Sequence, residues 1–162
     1  MSVVKHKIIE EIALIEIYNP PVNAISAAVR VELLETIENL SLNEKIRAIV
    51  ITAPERTFLA GADIKEFGKK VDAPILGKIC DKIESLNKIV VASLHGTPLG
   101  GGLEVAMSAH YRIAAPNTKV GLPEVLLGIL PGAGGTQRLP RLCGVDMACL
   151  LYTSPSPRDR SL

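Results

Sequence analysis

The chain has 162 residues, 48% hydrophobic and 22% charged, which is enough apolar material for one soluble domain with a sizeable core. Its 18 basic and 17 acidic residues nearly cancel and form no long run of like charge, and two Phe, three Tyr and no Trp leave little for base stacking. Nucleic acid and membrane are therefore excluded as expected partners.

The start of the chain has no apolar signal core, and no apolar stretch reaches membrane-spanning length. The three cysteines, Cys80, Cys143 and Cys149, lack metal-ligand spacing and cannot all pair, so a reducing compartment is the simpler reading. The expectation is a soluble intracellular protein, cytoplasmic or, in a eukaryote, peroxisomal.

Ile12–Ile17 reads as a strand closed by the turn-forming Asn19-Pro20-Pro21. Ser26 can cap a following helix with apolar Val29, Leu33, Ile37 and Leu40 at helical spacing. Ala48–Thr52 and Ile89–Leu94 are short continuous apolar runs, the pattern of strands buried on both faces. Between them Leu76, Ile79, Ile83 and Leu86 mark an amphipathic helix. Strands alternating with helices predict an α/β architecture with parallel pairing. From Tyr152 onward a Pro/Ser/Arg segment without apolar period begins. The expectation is a core domain over 1–151 and a non-native or disordered tail over 152–162.

After the second buried strand comes a glycine run, Gly100-Gly101-Gly102, leading into the helical pattern of residues 103–109. Amides around Gly101 would lie at a helix N-terminus, where unpaired N–H groups and the dipole favour an anion or a developing oxyanion. The earlier strand leads into a similar small-residue turn at 58–67, again opening onto helical spacing. Ligands in open α/β sheets collect beyond the carboxyl ends of strands, so the two turns can each offer an amide to one carbonyl. Glu104 and Glu124 each stand in an apolar neighbourhood that includes Leu103, Val105, Leu122 and Val125, an expensive place for an unused carboxylate.

The stretches 58–67, 96–106 and 121–139 closely resemble, in order and spacing, the three signature regions of the enoyl-CoA hydratase/isomerase (crotonase) family. With the segment at 19–24 the likeness covers roughly residues 8–151, and it is nearest to the hydratase region of multifunctional β-oxidation enzymes. The resemblance implies the family's spiral of parallel strands and helices, here without its C-terminal helices. It implies that the amides of Ala62 and Gly101 form an oxyanion hole for a thioester oxygen and that Glu104 and Glu124 are the catalytic acids. Ala60, Asp63, Ile64 and Lys65 would lie along the CoA moiety. The implied reaction is hydration of a trans-2-enoyl-CoA to a 3-hydroxyacyl-CoA. No metal or redox cofactor is called for, because the CoA thioester is itself the substrate. Implied partners are an acyl-CoA and either a 3-hydroxyacyl-CoA dehydrogenase region or further copies of the chain.

Plainer readings stand beside these. Glu104 alone reads as a surface helix acid, Glu124 after Pro123 as a first-turn acid favoured by the dipole, Lys65 and Glu66 as a solvated face, and Asp63 as a turn cap. His6, His95 and His110 have no companion at metal or triad spacing. Ser93 and Ser108 lack a nucleophile elbow, and residues 132–137 fit neither a dinucleotide fingerprint nor a phosphate loop, suiting instead an acyl-pocket wall and helix start. A Δ3,Δ2-enoyl-CoA isomerase needs only one base and remains an alternative, as does a truncated fragment that binds acyl-CoA without turnover.

Overall fold

The computed structural model describes residues 2–54 and 56–153. Five strands form one sheet in the order β1 (Val4–Ile9), β2 (Ile12–Ile17), β3 (Ala48–Thr52), β4 (Ile89–Leu94) and β5 (Tyr111–Ala114). From β2 onward all pairing is parallel, with Leu14 opposite Val50, Val50 opposite Val91 and Val91 opposite Tyr111. The expected parallel α/β sheet thus carries one antiparallel addition, because β1 and β2 are joined by a tight turn in which Glu10 has φ 56°. No strand was expected at Val4–Ile9, since only Val4 of its six residues enters the core and the Lys-His-Lys sequence faces water.

Among the described residues five helices follow the same chain order: α1 (Ala27–Leu42), α2 (Leu76–Glu84), α3 (Gly101–Ser108), α4 (Gly135–Cys143) and α5 (Val145–Thr153). Each packs against the next. Helix α1 forms where its spacing dictates: Ser26 Oγ accepts from the Val29 N–H at 3.4 Å, and Val29, Leu33, Ile37 and Leu40 are all buried. Fully burying such side chains contributes about 1.5–3 kcal/mol each. Helix α3 is buried along its whole length, and its close approach to the chain at Leu59 needs a glycine, since a Cβ at Gly102 would lie 2.0 Å from the Leu59 carbonyl oxygen.

Three expectations are corrected. The strands β3 and β4 are buried on one face only: Ile49, Ile51, Val90, Ala92 and Leu94 point into the core, while Val50 and Val91 are half-buried and Ile89 is half exposed. The 58–67 stretch yields a single 3-10 turn, Ile64–Glu66, in place of a helix, because Gly68 and the following lysines break the period. Helix α5 runs on through Thr153, past the composition change at Tyr152, and Tyr152 packs against the core. The rest of the expected tail, 154–162, lies outside the described residues.

Candidate active site

Two strand ends set the site. Past β3 the chain reaches Gly61, whose φ of 104° turns it alongside Leu99, and its carbonyl accepts from the Ile25 N–H at 2.8 Å. Past β4 the chain turns through Gly100, with φ 51°, and enters α3 at Gly101. The two turns touch: a Cβ at Gly61 would lie 3.2 Å from the Leu99 carbonyl oxygen, and one at Gly101 would lie 3.8 Å from the Ala62 nitrogen. As the first residue of α3, Gly101 carries an N–H with no intrahelical acceptor. Both residues line a cavity of about 620 Å³.

Glu104 and Glu124 line the same cavity. Glu104 projects from the first turn of α3 and is 2% exposed, and its Oε1 accepts from the Ala133 and Gly135 N–H groups, each at 2.8 Å. Glu124 sits in the 3-10 turn Pro123–Leu127, brought beside the glycine run by the Gly100 N–H to Gly121 O bond of 2.9 Å. It is 9% exposed and its Oε2 has no hydrogen-bond partner among the described residues. Burial, and to a lesser degree the nearby Glu104 charge, holds its carboxyl above the ordinary range, against a smaller lowering by a backbone hydrogen bond. Any side chain at Gly100 would crowd it, since a Cβ there would lie 2.9 Å from Glu124 Oε1. The apolar setting is real at Leu103, Val105 and Leu122; Val125 is exposed and takes no part.

Ala60, Asp63 and Ile64 also line the cavity, whereas Lys65 does not and is exposed. Asp63 Oδ1 accepts from the Lys65 N–H at 3.0 Å, so the turn-cap reading describes its contact. Glu66 is no solvated face. Its carboxylate accepts from the Ala27 N–H at 2.7 Å and pairs with Arg30 Nη1 at 3.0 Å, while Arg30 Nε donates to the Pro74 carbonyl at 2.9 Å. This strap ties two walls of the cavity to the start of α1, where an acid also suits the helix dipole.

The glycine-rich 132–135 stretch does more than shape a wall, since its amides hold Glu104. The same signal that marks Gly100–Gly102, glycines opening a helix, was present there. Arg138, which anchors this turn, had no local sequence signal.

His110 Nδ1 accepts from the Val90 N–H at 3.0 Å, and Ser108 Oγ donates to the Val105 carbonyl at 2.7 Å, both structural contacts. Among the described residues no group of three or more His, Cys, Asp or Glu is placed to hold a metal, and no helix is long and apolar enough to cross a membrane.

The profile of the enoyl-CoA hydratase/isomerase family matches residues 7–154. The chain is 50% identical to the peroxisomal bifunctional enzyme of Danio rerio over 143 residues, 88% of this chain and 20% of that protein. It is 42% identical to a probable enoyl-CoA hydratase of Bacillus subtilis (strain 168) over 164 residues, 97% of this chain and 64% of the other. The crystal structure of enoyl-CoA hydratase from Thermoplasma volcanium GSS1 superposes with a TM-score of 0.86 at 34% identity, over 95% of this chain and 64% of that one. The chain therefore spans from a fifth to under two thirds of the length of these relatives. With a crotonase-type fold and a profile match over nearly its whole length, it belongs to the enoyl-CoA hydratase/isomerase family.

Proposed function

We propose that this chain carries the hydratase site of a β-oxidation enzyme and adds water to a trans-2-enoyl-CoA. One observation carries the reading: two buried acids face one cavity onto which Ala62 and Gly101 also open. The thioester oxygen accepts from the Ala62 and Gly101 N–H groups, which hold the negative charge that develops as C3 is attacked. One such donor is worth roughly 2.7–4 kcal/mol in other enzymes. Glu104, with Oε1 held by two amides, uses its other oxygen to take a proton from water as the water oxygen bonds to C3. Glu124, whose carboxyl burial pushes above the ordinary range, gives its proton to C2. The alkene thus gains hydroxide and a proton, and the two carboxyls exchange protonation states until solvent resets them.

The CoA moiety runs past Ala60, Asp63 and Ile64 toward the mouth, where the exposed Lys65 can reach its polar groups. No metal or redox group is required. The name of the Danio rerio relative, a peroxisomal bifunctional enzyme, supports a peroxisomal setting.

The test offers 2-enoyl-CoA and 3-enoyl-CoA separately. Hydration of the 2-enoyl compound is expected; product from the 3-enoyl compound alone would make the chain an isomerase. A second reading, binding without turnover, is favoured by the open apolar rim, where Ile75 and Leu130 are 76% and 75% exposed and water is poorly excluded. Tight thioester binding with no product from either compound would establish it.

A further inference from the structure

Arg138 does not line the cavity, yet every nitrogen of its guanidinium is engaged. Nη2 donates to Asp81 Oδ1 at 2.9 Å and Glu84 Oε2 at 2.7 Å, and Nε to Glu84 Oε2 at 3.2 Å, so two acids of α2 grip one side of the fork. Nη1 donates to the Ala133 carbonyl at 2.7 Å. The side chain is 10% exposed. Gly134 makes the approach possible: its φ is 93°, and a Cβ there would lie 2.2 Å from Arg138 Nη1. On the far side of the same turn the Ala133 and Gly135 N–H groups meet Glu104 Oε1. The Gly134 carbonyl accepts from the Gln137 and Arg138 N–H groups at 3.0 and 2.9 Å. The turn is thus fastened by its carbonyls, leaving its amides aimed at one carboxylate oxygen.

We infer that Arg138 is a positioning residue, which fixes the 133–135 turn as a two-amide receptor for Glu104 and thereby sets the carboxylate orientation at the reacting atoms. A planar five-donor fork suits the task, because it serves two carboxylates and a carbonyl in one fixed geometry. The inference rests on Glu104 being the base.

The test compares ¹H–¹⁵N spectra and steady-state kinetics of the full chain, Arg138→Met, the exposed pair Asp81→Asn/Glu84→Gln, and Glu104→Gln as reference. In Arg138→Met the Ala133 and Gly135 amide proton signals are expected to move upfield, the direction in which Glu104→Gln moves them. Its kcat should fall about 10²-fold with little change in KM, as for a small misplacement of a reacting group. The acid pair is expected to shift both signals the same way by less. Both signals in place in a folded Arg138→Met, or moved signals with unchanged kcat, would overturn the inference. If Arg138→Met does not fold, the acid pair decides on the signals alone: movement supports the role and none overturns it. Moved amides in a chain whose parent shows no turnover would sink the hydratase reading while leaving Arg138 as the anchor of Glu104.

Discussion

When Glu124 ionises, it places a charge in an apolar wall with Oε2 unpartnered among the described residues. Its carboxyl lies above the ordinary range, so the folded chain binds more protons than the unfolded one just above that range, and stability falls as pH rises through the raised pKa. Glu124→Gln removes this slope. It should melt higher than the parent at neutral pH, with the gap closing on acidification below the usual Glu pKa, as followed by thermal melts across pH. The same substitution, or Glu104→Gln, should cut hydration by about 10²–10⁴-fold while CoA binding, read by calorimetry, changes little. With Glu124 as the proposed acid, parent activity should decline as pH rises through its raised pKa.

Helix α3 carries the site, and its burial along the full length leaves no slack at Gly102. Gly102→Ala should cost about 1–3 kcal/mol or more in urea unfolding, since backbone rather than a flexible side chain meets the new methyl. Ser26→Ala should cost about 1 kcal/mol by the same measurement, through the lost cap of α1. Elements with a strong local period were legible: Ser26 with its apolar stripe, and the apolar runs of β3 and β4. Those governed by context were not. The Val4–Ile9 strand exists because β2 offers it a partner, and the 3-10 turns at Ile64–Glu66 and Pro123–Leu127 are too short to show a period. One-face burial of β3 and β4 was invisible because the half-buried Val50 and Val91 are as apolar as the buried residues that alternate with them.

Across the whole molecule, the core shields Cys80, whose thiol burial pushes up to about 12, while Cys143 and Cys149 are exposed. A thiol reagent should therefore modify the two exposed cysteines at once and Cys80 only at the rate of global opening; fast modification of Cys80 would show a loosely packed sheet–helix layer. The residues placed around the cavity were largely legible because they sit in local turns, glycines next to acids. The ties that hold them were not: the Glu66–Ala27 bond joins residues 39 apart, and Arg138 meets Asp81 across 57, separations with no sequence period.

The proposed chemistry turns on two main-chain N–H groups, at Ala62 and Gly101, polarising one thioester carbonyl. Glu104→Gln should bind 2-enoyl-CoA without consuming it, so the carbonyl stretch of a ¹³C-labelled substrate can be read in the bound state by difference infrared spectroscopy. A stretch displaced to lower frequency than in free solution is expected. A bound carbonyl vibrating at its solution frequency would contradict the site as described.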